Sequence, residues 1–195
     1  MEPMLPGAIA AAVLTIVLFS SLCASLILTL ISHRKPSPLP MGVATGLLVV
    51  ATVLAALSPV EIPAIWGVGV ALVGVALAVI GGNPATRVVL DLATGSRVRE
   101  TSDGGILIGA PRDHTGEREA LLRGGSTIGY LERIAVAVAI VAGYPEALAV
   151  VVAIKGIGRF SELAAAEARE RFIIGTLASL GWASVAGGLV RLAIW

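Results

Sequence analysis

The sequence predicts an all-α polytopic transmembrane bundle of about six spans with both termini outside. Three observations predict it. Of 195 residues, 56 % are hydrophobic and 14 % charged, with a mean hydropathy of +0.93. Soluble domains carry about 25 % charged residues, and a water-soluble fold of this length cannot hide so much apolar surface. Apolar runs near the ~20 residues that a helix needs to span a bilayer recur along the chain. Threaded alternately through the membrane, they leave nearly all Lys and Arg on one side.

The first run, Gly7 to Ser32, suits one tilted helix and ends at His33, Arg34, Lys35 and Pro36. Residues 1–7 hold Glu2 and no Lys or Arg, so a cleavable signal is not expected. The second run, Met41 to Ser58, is followed by a short acidic turn with Pro59, Glu61 and Pro63. The third, Ala64 to Gly82, is closed by Gly81, Gly82, Asn83 and Pro84, which completes a three-span N-terminal part, 1–82.

Residues 83–124 form the one long polar segment, with Arg87, Arg97, Arg99, Arg112, Arg118 and Arg123 among several acids. Thr86 to Ala93 reads as a short amphipathic surface helix with Val88, Val89, Leu90 and Leu92 toward lipid. The stretch after it, through Gly116, reads as a loop, with turn signals at Asp103-Gly104-Gly105 and Ala110-Pro111. The C-terminal part, 125–195, is a hairpin plus a final span. Ser126 to Gly143 and Pro145 to Phe160 join at Gly143-Tyr144-Pro145-Glu146. A polar helix, Ser161 to Arg171, then leads into Phe172 to Trp195.

In this threading Arg191 alone, of the 14 Lys and Arg, lies apart from the rest, on the side that carries Glu2, Glu61 and Glu146. The excess of basic residues makes the long loop cytoplasmic and both termini external. A five-span variant with one re-entrant run would put the termini on opposite sides.

Helices in lipid associate through close backbone approach, and small residues recur here at four-residue spacing. The last span has Gly175, Ser179, Ala183 and Gly187 on one face; Gly67 with Ala71, Gly74 with Ala78, Gly42 with Gly46 and Gly125 with Gly129 repeat the pattern. The pattern serves an intimate bundle or a homo-oligomer interface equally well. Cys23, the single cysteine, lies within an apolar run and excludes an intramolecular disulfide.

Charges inside spans are functional candidates. Glu132 and Arg133 lie one to two turns into the fourth span. Lys155 and Arg159 lie in the last turns of the fifth, four apart and so on one face. A fold-back at Tyr144-Pro145 sets Glu132 opposite a point near residue 157, flanked by Lys155 and Arg159, and Arg171 continues the cluster at the start of the last span. Three roles stay open: a structural clamp in which Glu132 neutralises a cation, a basic pocket for an anionic lipid phosphate, and a proton or ion path through Glu132.

The strings Arg123-Gly-Gly-Ser-Thr-Ile-Gly-Tyr-Leu-Glu-Arg133, Ala153-Ile-Lys-Gly-Ile-Gly-Arg-Phe160 and Ala168-Arg-Glu-Arg-Phe-Ile-Ile-Gly-Thr-Leu-Ala-Ser179 resemble an uncharacterised family of small bacterial integral membrane proteins. The resemblance implies a multi-pass protein of a bacterial plasma membrane. It sets Glu132, Arg133, Lys155, Arg159 and Gly175-Thr176 at motif positions, and it implies no substrate.

Motifs of covalent chemistry are missing. The chain has no GxxxxGK[ST] phosphate loop, no HExxH, and no paired-aspartate signature of CDP-alcohol phosphotransferases; its two histidines, His33 and His114, fall in predicted loops. No metal, no cofactor and no nucleic-acid partner is expected. The expected function is non-enzymatic: a cytoplasmic-side cluster of Glu132, Arg133, Lys155, Arg159 and Arg171 that binds a lipid head group or a partner membrane protein. A small transporter or transporter subunit is the alternative, and an intramembrane lipid-modifying enzyme using Glu132 as base is a third reading.

Overall fold

The structure, a computed structural model, describes residues 4–34, 37–58, 62–94, 125–158 and 166–195. They form six helices and, among the described residues, no strand: α1 (Met4–Arg34), α2 (Pro38–Leu57), α3 (Ala64–Thr94), α4 (Gly125–Ala142), α5 (Ala147–Gly158) and α6 (Ala166–Ile194). The loop predicted after Thr94 lies outside the described residues. All helices but α5 are long and apolar enough to cross a membrane. Large apolar side chains are exposed along the outer faces, among them Ile16, Ile65, Leu72 and Leu177. In water such continuous apolar surface would not persist on a monomer; in a multi-pass membrane protein it is the surface that meets lipid.

The pair α3 and α6 is the axis of the bundle. They run antiparallel: Gly67 faces Ile194, Gly74 faces Val190, Gly81 faces Trp182, and Thr86 faces Gly175. At Gly74 and Gly81 a β-carbon would collide with the facing side chain, so glycine lets the backbones close in. Gly187 does the same for α4, whose Ala137 backbone lies 3.2 Å from where its β-carbon would stand. The four-step run in the last span is therefore partly an intramolecular seam. Gly42 and Gly46, by contrast, have no atom within 4 Å of a β-carbon position, and they take no part in packing within the chain.

Two contacts orient the N-terminal helices. Phe19 and Trp66 pack edge to face, 6.1 Å between ring centres. His33, expected in a loop, lies in the last turn of α1 and reaches the Ile80 carbonyl. Helix α1 therefore runs parallel to α3. Helix α4 runs parallel to α6, as Arg133 with Ser179 and Arg191 with Val141 show. Since α3 opposes α6, Met4 and Trp195 lie at the same end of the bundle.

Three element boundaries differ from the sequence expectation. Helix α3 does not stop at Gly82. It continues through Pro84 to Thr94 as one 31-residue helix, and Leu90, expected to face lipid, is buried at 2 % exposure beside Gly175. Composition alone reads Gly-Gly-Asn-Pro as a stop. Inside a membrane bundle a proline is tolerated where neighbouring helices satisfy the freed backbone. Second, the predicted polar helix before the last span and the span itself are one helix from Ala166 onward. Third, α5 begins at Ala147 and not at Pro145, and its 12 described residues span about 18 Å at 1.5 Å per residue, against a hydrocarbon core of about 30 Å; Arg159 and Phe160, the expected end of this span, lie outside the described residues. None of its residues is buried; it lies on the outside of α4.

The turn between α4 and α5 is specified locally. Gly143 adopts φ +90°, a conformation glycine reaches without strain. The Tyr144 N–H donates to Ala139 and the Gly143 N–H to Ile140, the bonding of a Schellman cap. Arg191 adds a donor to the nearby Val141 carbonyl at 3.2 Å, placing a cation where the helix dipole is negative.

Candidate functional site

Neighbours in sequence, Glu132 and Arg133 leave α4 in different directions, because successive residues on a helix are about 100° apart. Two separate centres result.

The first lies between α4 and α5. Lys155 Nζ is 2.5 Å from Glu132 Oε2, and the same ammonium stands 5.9 Å from the centre of the Phe172 ring on α6. Both side chains are mostly covered, with 16 % of Lys155 and 10 % of Glu132 exposed. An ion pair in a low-dielectric setting is strong in Coulomb terms, but each partner loses hydration. What the pair does structurally is fix the far end of α5, a helix with no buried residue of its own. The hairpin pairing expected from the Tyr144-Pro145 fold-back is present for Lys155. Arg159 lies outside the described residues. Arg171 is half-buried on α6, one residue before Phe172.

The second centre is built around Arg133, which the sequence expectation places in the first. Arg133 is 2 % exposed at the middle of α4. Its Nε donates to the Val79 carbonyl at 2.7 Å, Nη1 to Ser179 Oγ at 2.9 Å, and Nη2 to Asn83 Oδ1 at 2.9 Å. Its Cζ lies 5.0 Å from the centre of the Tyr130 ring, a cation–π contact. Asn83 Nδ2 closes the network by donating to Tyr130 Oη at 3.3 Å. These acceptors are all neutral; among the described residues no carboxylate forms an ion pair with Arg133. Arg133 is thus no part of a surface pocket: it locks α3, α4 and α6 together.

The receiving surface is the stretch of α3 that the sequence marks with glycine and proline. Gly82 is where the guanidinium lies; a β-carbon there would fall inside the Arg133 side chain. Gly81 seats the Trp182 indole, whose Nε1 donates to the Leu77 carbonyl at 2.9 Å. Pro84 has no N–H for the carbonyl four residues earlier, that of Ile80, and His33 Nε2 approaches that oxygen at 3.2 Å. Carbonyls at 77, 79 and 80 therefore take side-chain donors from α6, α4 and α1. His33, Asn83, Tyr130, Ser179 and Trp182 are absent from the set of site residues that the sequence suggests. The signal that points to them is an interior proline beside paired glycines, in a run that does not need to end.

No group of three His, Cys, Asp or Glu among the described residues is arranged to hold a metal. No family model, no curated protein and no solved structure matches this chain.

Proposed function

We propose that this chain is a multi-pass plasma-membrane protein that acts by binding, and that the end of the α4–α5 hairpin with the start of α6 receives an anionic lipid head group. Lys155 carries the reading. It is a partly covered cation on a helix none of whose residues is fully buried, a setting in which basic groups between helices meet lipid phosphates. One N–H of its ammonium goes to Glu132; an ammonium has further donors to offer. The backbone beyond it is bare: Gly156 and Gly158 have no neighbouring atom within 4 Å of a β-carbon position, so a phosphate can approach closely. Arg159, next in sequence, and Arg171 add positive charge along the same stretch of chain. The bias of basic residues assigns this end to the cytoplasmic side.

The test is mass spectrometry of lipids that co-purify in mild detergent, comparing wild type with Lys155→Ala and Lys155→Arg. Loss of anionic lipid in Lys155→Ala and retention in Lys155→Arg supports the reading. Equal retention in Lys155→Ala and wild type sinks it, provided both elute as folded protein.

A further inference from the structure

We infer that α5 is a flap held over Glu132 by Lys155, and that an anionic lipid head group taken up by Lys155 releases it. The inference rests on the head-group reading of Lys155 and adds what binding does to the fold. In lipid an apolar helix gains little by lying on another, because the hydrocarbon around it is equally apolar. Helix α5 runs against α4 and has no fully buried residue. Leu148 and Val151, in its first half, are partly buried and pack on the core. Its second half turns Ile154 and Ile157 outward, at 66 % and 79 % exposure. The tie there is Lys155, bonded to Glu132 and set over the Phe172 ring.

The two partners do not depend equally on that tie. Glu132 also lies in the field of the Arg133 guanidinium, its neighbour on α4. For Lys155, Glu132 is the one carboxylate in ion-pair contact among the described residues. Parting charges next to hydrocarbon is unfavourable, and here it is Lys155 that would be stranded. A phosphate removes that obstacle. It meets first the ammonium donors that Glu132 leaves free, on the side where Gly156 has no atom within 4 Å of a β-carbon position. Once the phosphate neutralises the ammonium, the Coulomb attraction to Glu132 falls. The side-chain contacts that remain are those of Leu148 and Val151, close to the turn. Gly143, with φ +90°, lies in that turn and marks the pivot. Swinging about it uncovers Glu132, which is mostly covered when α5 is docked.

The test is the distance between spin labels at Ile157→Cys on α5 and Leu177→Cys on α6, both exposed positions. The protein carries Cys23→Ala and is reconstituted in phosphatidylcholine nanodiscs with and without phosphatidylglycerol. A helix about 18 Å long that swings by about 20° moves its end by about 6 Å, and phosphatidylglycerol should shift the distance on that scale. Lys155→Met should abolish the shift. Glu132→Gln weakens the clasp and leaves the cation. It should shift at an about tenfold lower phosphatidylglycerol fraction, the effect of turning a charge-assisted hydrogen bond into a neutral one. If Lys155→Met does not fold, Glu132→Gln decides, and an unchanged fraction there overturns the proposal. Phosphatidylglycerol that co-purifies through Lys155 while the distance stays fixed overturns the switch and leaves the head-group site standing. Neither bound lipid nor a shift overturns both. A shift that Lys155→Met preserves, or that inorganic phosphate alone produces in phosphatidylcholine, overturns the lipid as trigger at Lys155.

Discussion

His33 Nε2 stands 3.2 Å from the carbonyl oxygen of Ile80, the one carbonyl of α3 whose helical partner Pro84 removes. A side chain from α1 thereby supplies the hydrogen bond that the backbone of α3 cannot. Since the carbonyl only accepts, the Nε2 tautomer carries the proton. His33→Ala should destabilise the bundle by about 1 kcal/mol, the cost of leaving a part-buried carbonyl without a donor. In a Pro84→Ala background, where the new backbone N–H can take over, the same change should cost clearly less. Steric-trapping or detergent-unfolding measurements on the four proteins of the cycle check this; equal costs in both backgrounds would reject the repair.

Glycine substitutions should separate into two groups. Gly82→Ala drives a methyl into the Arg133 side chain and should cost about 1–3 kcal/mol, as overpacking does. Gly42→Ala and Gly46→Ala meet open space, and should be neutral or stabilising by up to about 1 kcal/mol through helix propensity. Thermal unfolding in one detergent ranks them.

Glu132 and Lys155 should be energetically coupled. Single changes to Gln and Met each leave a mostly covered charge alone, and the double change removes both. Coupling of about 1 kcal/mol or more is expected from the cycle. Additive single effects would show that the pair does not anchor α5.

At the other end of the hairpin, Gly143→Ala forces an alanine into a φ of +90° and toward Arg191 Nη1 at 2.7 Å. A loss of about 1–2 kcal/mol is expected from the backbone alone. Arg191→Met should lose less, because it removes one capping donor and leaves the turn's own backbone bonds. Chemical or thermal unfolding of the two variants in the same detergent orders them.

Topology is checked by labelling single cysteines at Glu61 and Asp113 in a Cys23→Ala protein with a membrane-impermeant reagent on intact cells. Glu61→Cys should label and Asp113→Cys should not. The reverse would invert the orientation.

What the sequence makes legible, and what it hides, follows from physical range. The helices are readable from hydropathy because the bilayer sets a length scale that apolar runs must meet. Lys155 opposite Glu132 is readable because a tight turn fixes the register of a hairpin by counting residues from Tyr144-Pro145. Arg133 falls into the wrong company, since its partners Val79, Asn83 and Ser179 are about fifty residues distant and no local rule pairs them. Pro84 misleads for the same reason. Local chemistry says that proline ends a helix, while the donor that rescues it sits on α1.

Three carbonyls within four residues of α3 hold α6, α4 and α1. Rotation or sliding of α3 by even part of a turn must therefore break bonds to all three neighbours together. Amide exchange along residues 77–86 should accordingly show a single slow opening event, while α5, tied at its two ends, opens alone. The molecule divides into a locked centre and one detachable arm.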